Sequence, residues 1–136
     1  MVQTEFFIGH RDWLIVVSLD VSGTGDICEV YDMLMQADVP DYKVRVACME
    51  LSRANSGYTH TDYGSHVTLT FASRGTSYDE LYDTIQHELL HITEHIGTYY
   101  GLDPKGEEMA YLQGEIARKM FPAVAMVVCP ACSRLQ

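Results

Sequence analysis

The sequence predicts one small α+β domain, spanning residues 1–136, in which a short β-sheet packs on helices. Two observations predict the sheet. A run rich in Ile and Val from Trp13 to Leu19 is typical of a central strand, and apolar and polar residues alternate from Ser65 to Ala72, as in a half-buried strand. A third observation predicts the helices, since apolar residues elsewhere recur every three or four positions. With 136 residues, 47% of them hydrophobic, the chain can bury a single core.

Two predicted helices follow the first strand. The first ends before Pro40, because a proline ring cannot continue a helix. The second runs from Asp41 to a break that begins at Asn55. Cys28 and Cys48 lie on the apolar stripes of these helices, so we expect both to be small core residues.

The third predicted helix has signals at both ends. Ser77 and Glu80 have the spacing of a capping box, in which a hydroxyl and a carboxylate satisfy free amides at the start of a helix. Gly97 or Gly101 ends the helix, and Pro104 prevents its resumption. A long helix is therefore expected directly after the second predicted strand.

This helix contains the motif His87-Glu88-Leu89-Leu90-His91, which has the pattern H-E-x-x-H. Histidines four residues apart lie one turn apart on the same helical face, so both imidazoles can reach a single Zn²⁺. Glu88 lies at the flank of that face, where its carboxylate can take a proton from a metal-activated water without binding the metal. The motif predicts a zinc site with His87 and His91 as ligands and Glu88 as general base.

A third protein ligand is expected, and the helix that follows Pro104 offers two acids in its first turn, Glu107 and Glu108. The alternative is that both are solvated acids favoured there by the helix dipole. One face of this helix includes two small residues, which would let it approach the third helix closely. That face consists of Glu107, Ala110, Tyr111 and Gly114. His95 is a poorer candidate, because it lies about 12 Å along the helix axis from His87; we expect it to support or flank the site.

The H-E-x-x-H motif followed by Glu107-Glu108-Met109-Ala110-Tyr111-Leu112 resembles the gluzincin metallopeptidases, in which a second helix supplies a ligand Glu. The chain is similar in particular to small metallopeptidase domains of bacteria and their phages. The resemblance covers about Ser77 to Met120. It implies a small zincin-like fold, Glu107 as the third zinc ligand with Glu108 one position away, and a peptide or protein substrate held against a sheet edge beside the active helix.

We therefore expect a zinc-dependent hydrolase that acts on a peptide or amide bond, with an extended substrate pairing along Ser65 to Ala72. The alternative is a non-catalytic binding or inhibitory module, for example one carried by a phage, in which zinc only stabilises the fold. A catalytic zinc keeps one position for water, whereas a structural zinc is usually closed by four protein ligands. The number of protein ligands therefore distinguishes the two hypotheses. The strand at Ser65 to Ala72 is a second criterion: if it were paired on both sides, a structural zinc would be favoured over peptide cleavage.

Hydrolysis of an amide also needs a hydrogen-bond donor for the oxyanion that forms at the attacked carbonyl. The candidates near the predicted site are His66, Tyr99, Tyr100 and Tyr111. Residues 58–63 are polar and aromatic, and we expect them to form a plain loop; the alternative is that they shape the cleft.

Composition argues against two classes of partner. The net charge of −10, from 9 Lys and Arg against 19 Asp and Glu, disfavours a face that binds nucleic acid. No stretch approaches the roughly 18 apolar residues of a membrane span, and the N-terminus lacks the order of a signal peptide. We therefore expect a cytoplasmic protein without a nucleic-acid or membrane partner.

Cys129 and Cys132 have the spacing of a metal-binding pair, but a structural zinc normally needs a second such pair. We expect a reduced pair near the solvent. A local disulfide and adventitious metal binding are the alternatives, and no function is assigned to the pair.

Overall fold

A four-stranded sheet lies between two pairs of helices. The computed structural model describes residues 1–9 and 12–128. In chain order, the elements are β1 (Val2–Ile8), β2 (Trp13–Val21), α1 (Gly23–Gln36), α2 (Asp41–Leu51), β3 (Gly57–Asp62), β4 (Val67–Ser73), α3 (Tyr78–Tyr99) and α4 (Glu107–Val128). One apolar core lies between the sheet and α3 with α4, and a second lies between the sheet and α1 with α2. The structure confirms the predicted α+β class.

The strands lie in the order β1-β2-β4-β3, with β2 parallel to β4 and the two outer strands antiparallel to their neighbours. The predicted strand at Ser65 to Ala72 exists as β4, but the expectation that a substrate pairs with it is wrong. β4 is an interior strand, hydrogen-bonded to β2 on one side and to β3 on the other. The sheet edge on this side is β3. This segment was predicted to be a loop, and that prediction is wrong.

β3 is difficult to predict because it carries no apolar stripe. Its side chains are all partly buried, and it owes its place to pairing with β4. Thr59 lies opposite Thr70 and Thr61 opposite Thr68, so matched hydroxyls replace the usual apolar cross-strand contacts. This places a polar edge strand next to α3.

α3 begins and ends where the sequence predicts. The Ser77 side chain accepts a hydrogen bond from the Glu80 amide at 3.3 Å, and its hydroxyl donates to Asp79 Oδ1 at 2.6 Å. Gly101 follows the helix with a φ of +69°, a left-handed conformation that favours glycine at a helix end. Gly97 lies inside α3 and is buried.

α4 packs through an apolar stripe that includes Met109, Leu112 and Ile116. A side chain at Gly97 of α3 would overlap the end of the Met109 side chain, so Gly97 makes room for Met109 against α3. The face predicted to make that approach is exposed instead: it comprises Glu107, Ala110, Tyr111 and Gly114. The apolar stripe outweighs the small residues, because burying large apolar side chains contributes more free energy.

Cys28 and Cys48, both predicted to lie in the core, differ in their exposure. Cys28 is exposed, so its assignment to the core is wrong, whereas Cys48 is half-buried against the second core. Burial raises the pKa of the Cys48 thiol, and nearby Cys28 acts in the same direction. Cys129 and Cys132 lie outside the described residues.

None of the helices that the structure describes has an apolar stretch long enough to cross a membrane. The longest two, α3 and α4, have 22 residues each and carry several charged side chains.

Candidate metal centre

α3 brings the imidazoles of His87 and His91 close together. His87 Nε2 and His91 Nε2 lie 3.0 Å apart. Two nitrogen ligands of a tetrahedral zinc, with bonds of about 2.0–2.1 Å, lie roughly 3.3 Å apart. The separation of these two nitrogens is therefore close to what a shared ion requires.

A carboxylate lies beside the imidazoles. One ligand atom from each of His87, Glu88 and His91 falls within 4.8 Å of the other two, and we refer to these residues as the His-Glu-His group. His87 is exposed, His91 is half-buried, and Glu88 has only 4% of its surface exposed. The donor set suits Zn²⁺, which binds imidazole nitrogen and carboxylate oxygen.

Glu88 is held by threonines of the sheet. Thr59 Oγ1 of β3 donates to Glu88 Oε1 at 2.7 Å, and Thr70 Oγ1 of β4 lies 2.5 Å from Thr59 Oγ1. Because the single proton of Thr59 goes to the carboxylate, Thr70 must donate to Thr59. The hydroxyl chain Thr70 to Thr59 to Glu88 therefore orients the carboxylate as an acceptor.

Gly57 makes room for that carboxylate. A Cβ atom at this position would overlap the Glu88 side chain. Gly57 is the first residue of β3, so the strand begins beside the carboxylate. A larger residue there would have to displace Glu88.

A second hydroxyl chain reaches His95 of α3. Trp13 Nε1 donates to Thr68 Oγ1 at 3.0 Å, Thr68 Oγ1 lies 3.1 Å from Thr61 Oγ1, and Thr61 Oγ1 lies 2.8 Å from His95 Nδ1. Burial lowers the pKa of His95; His91 also lowers it, and Glu94 partly opposes them. The neutral imidazole is therefore favoured at His95.

The His-Glu-His group opens into a cleft between α3 and the edge strand β3. The cleft is lined by Gly57, Tyr58, Thr59, His87, Glu88, His91 and His95. Asp83 and Asn55 border an adjoining depression that shares Gly57, His87 and Glu88. His87, His91 and His95 therefore lie along the β3 edge over about two turns of α3.

Glu107, the third ligand that the resemblance implies, is exposed and is not part of the His-Glu-His group, and the same holds for Glu108. Gly97 contacts α4 and lies about 120° round the helix from His91, so α4 packs on another side of α3. On α4, Glu107 and the inward-facing Met109 differ by two positions, or about 160° in direction. The packing of α4 therefore directs Glu107 away from the histidines.

Three of the four predicted oxyanion donors lie in an aromatic cluster beyond the cleft. The His66 ring stacks on Trp13 at 4.6 Å, and Tyr99 Oη lies 3.3 Å from His66 Nε2. Tyr100 packs against the same Trp13 ring. Tyr111 is 71% exposed on α4. None of these four side chains lines the cleft, whereas His95 does.

The threonines that hold the site were not among the residues predicted from the sequence. The signal was present as two T-x-T patterns, at 59–61 and 68–70. Alternating threonines suit paired strands, because hydroxyls on one face meet across an antiparallel pair. The pattern becomes informative only when the two segments are known to be neighbours.

The chain was compared with protein-family models, with curated proteins and with solved structures, and none of the three comparisons gave a match.

Proposed function

We propose that this protein is a zinc-dependent hydrolase of peptide or amide bonds, with His87 and His91 as zinc ligands and Glu88 as general base. The observation that carries the proposal is the pair of imidazole nitrogens 3.0 Å apart beside a buried carboxylate. Isolated buried carboxylates are costly, so a carboxylate kept beside two imidazoles and oriented by Thr59 suggests a functional requirement.

Bound Zn²⁺ would polarise a substrate carbonyl and lower the pKa of water toward about 7. Glu88 then takes the proton of the attacking water and later delivers it to the leaving amine nitrogen. Thr59 occupies Oε1 of Glu88, which leaves Oε2 to accept that proton.

The edge strand supports an extended peptide as substrate. β3 is hydrogen-bonded to β4 on one side only, and its first residues line the cleft with the histidines. An extended peptide can add to such an edge through main-chain hydrogen bonds. The scissile bond would then pass next to His87 and His91.

The alternative, a binding or inhibitory module with a structural zinc, requires a closed site. A structural zinc normally has four protein ligands and no water. Within the described residues, the group offers two imidazole ligands besides the Glu88 base, and His87 is exposed. An open, surface-accessible site favours the hydrolase.

The test uses the full chain with stoichiometric Zn²⁺ and a library of internally quenched peptides. We expect cleavage by the wild type, and a rate lower by about 10²–10⁴ in Glu88→Gln with zinc content unchanged. Glu94→Gln is the matched control, since Glu94 is an exposed acid on the same helix outside the group.

Two outcomes would contradict the proposal. Loss of zinc in Glu88→Gln would mean that Glu88 is a ligand and not the base. An X-ray absorption spectrum with four protein ligands and no water, together with no cleavage of any peptide, would favour the structural-zinc module.

A further inference from the structure

His95 lies in the cleft but outside the His-Glu-His group. It follows His91 by four residues, and the two rings are 6.2 Å apart. Its Nδ1 is bonded to Thr61, 2.8 Å away, at the end of the hydroxyl chain that starts at Trp13. The side chain is thus fixed from the sheet and borders the space beside the histidines.

The direction of that chain follows from counting protons. The Trp13 indole can only donate, so Thr68 accepts from it. Thr68 is 0% exposed, and its other partner among the described residues is Thr61. Its hydroxyl proton therefore goes to Thr61.

Thr61 then has its own proton to place, and the Nδ1 of His95 is the remaining partner at hydrogen-bond distance. If His95 Nδ1 carried a proton instead, Thr61 would accept twice and its own proton would lack a protein acceptor. Only the order Trp13 to Thr68 to Thr61 to His95 gives every hydroxyl proton in the chain a protein acceptor.

We infer that His95 is held as the neutral tautomer with its proton on Nε2, and that this N–H donates a hydrogen bond to the substrate carbonyl oxygen as it becomes an oxyanion. The inference rests on the proposed hydrolase function and adds a residue to its site. In the reaction, the water oxygen bonds to the carbonyl carbon, and a water proton passes to Glu88. The carbonyl π pair moves to the oxygen that faces His95. When the C–N bond breaks, that pair restores the carbonyl, and the leaving nitrogen takes the proton from Glu88.

The same proton count argues against His95 as a zinc ligand through Nε2. Metal binding at Nε2 of a neutral imidazole requires the proton on Nδ1. That proton would point at Thr61, which would then accept from both Thr68 and His95, and the Thr61 proton would have no protein acceptor in the chain. His95 therefore serves as a donor while His87 and His91 hold the ion.

The first test measures the tautomer directly. In full-length protein with ¹⁵N-labelled histidine, NMR of the ring nitrogens should show His95 with Nδ1 unprotonated and Nε2 protonated. The resonances are assigned by their loss in His95→Phe. Saturating Zn²⁺ should shift the His87 and His91 nitrogens and leave the Nε2 proton of His95 in place. A proton on Nδ1, or its loss from Nε2 when zinc binds, would overturn the inference.

Thr61 is a positioning residue, and its variants test the chain. Thr61→Val should raise the fraction of the Nδ1–H tautomer at His95, because the hydrogen bond that favours Nε2–H is lost, and Thr61→Ser should reverse the change. An unchanged ratio of the two tautomers in Thr61→Val would contradict the role of the hydroxyl chain.

The second test measures the donor with methylphosphonate, a tetrahedral anion, as the probe. Zinc-loaded His95→Phe should bind it about tenfold more weakly than the wild type, with zinc affinity unchanged. His95→Gln, which keeps an N–H donor, should recover part of the affinity. His60→Phe is the control, because residues alternate along β3 and His60 points away from Thr59 and Thr61.

The outcomes separate the two proposals. Equal methylphosphonate affinity in wild type and His95→Phe, or no binding to the zinc-loaded wild type, would overturn the role of His95 alone. Absence of zinc from His87 and His91 would overturn the hydrolase proposal together with the oxyanion role, while the tautomer of His95 would still be decided by NMR.

Discussion

At the residue scale, neighbouring positions in the motif have opposite environments. His87 is exposed and Glu88 is 4% exposed, although the two are adjacent in sequence. Successive residues on a helix point about 100° apart, so one faces solvent and the next faces the sheet. The buried position is tolerated by a carboxylate only because Thr59 donates to it and Gly57 leaves space for it.

The space at Gly57 leads to a first prediction. In Gly57→Ala, the new methyl group must displace the Glu88 carboxylate and weaken its bond to Thr59. We expect zinc affinity to change little and peptide cleavage to fall at least about tenfold, since a displaced base contributes less. Calorimetric titration with zinc and the peptide assay measure the two effects.

Gly64→Ala is the control, because a Cβ atom there makes only an ordinary contact with Asp62. Full activity in Gly57→Ala would show that Glu88 does not need its observed position.

At the element scale, α3 carries the His-Glu-His group, and its ends and sides make different contacts. The Ser77 cap starts it, and the loop before the cap must turn tightly from β4. One side supplies the histidines to the cleft, and Gly97 on another side admits α4. The position of each side chain on the helix therefore decides whether it reaches the metal.

The turn before α3 gives a second prediction. A Cβ atom at Gly75 would lie 2.7 Å from the Ser77 carbonyl oxygen and 2.7 Å from Leu81 Cβ. Since backbone cannot move aside cheaply, Gly75→Ala should lower the free energy of unfolding by about 1–3 kcal/mol. Gly114→Ala, with open space around it on α4, should instead raise it by roughly 0.5–1 kcal/mol.

Urea denaturation of both variants measures these changes. Equal stability of Gly75→Ala and the wild type would be inconsistent with the close approach between Gly75 and the start of α3.

The orientation of α4 gives a third prediction. Because Glu107 is on the exposed side of α4, Glu107→Gln should leave zinc stoichiometry and affinity unchanged. His91→Ala should abolish stoichiometric zinc, since it removes one of two imidazoles that meet at one point. Metal analysis after dialysis distinguishes them. Loss of zinc in Glu107→Gln would mean that α4 rotates or slides when zinc binds.

At the scale of the whole molecule, the sheet links the cleft to both cores. α3 and α4 cover one face of the sheet, and α1 and α2 cover the other. The unpaired edge of β3 runs along the cleft. The hydroxyl chain to Glu88 starts at Thr70 of β4 and the one to His95 at Trp13 of β2, and both strands are interior. The site is therefore held by the interior of the sheet, as precise positioning requires.

Zinc should stabilise the entire fold, which gives a fourth prediction. A ligand that binds only the folded state at 100 times its Kd adds about 2.7 kcal/mol of stability. For a domain of this size that corresponds to a rise in Tm of roughly 10 °C. Calorimetry should show the rise with zinc, its reversal by a chelator, and its absence in His91→Ala. An equal rise in His91→Ala would locate the bound zinc elsewhere on the chain.

The sequence by itself determined the elements whose signals are local. Caps, helix-ending residues and apolar periodicity predicted α3 to within a residue or two, and the Ile and Val run predicted β2. The spacing of His87 and His91 predicted that their imidazoles meet, because the geometry of one helix decides it.

Only the tertiary structure decided what depends on distant segments. The order of strands made β4 interior and β3 the edge, and β1 and β3 had no local signal strong enough to predict them. Packing rotated α4 so that Glu107 faces solvent, although its own sequence carries both a small-residue face and an apolar stripe. The hydroxyl chains to Glu88 and His95 exist because two T-x-T segments pair side by side. Such contacts depend on cross-strand register and helix packing. Both are set by segments that are distant in sequence, so local sequence patterns do not predict them.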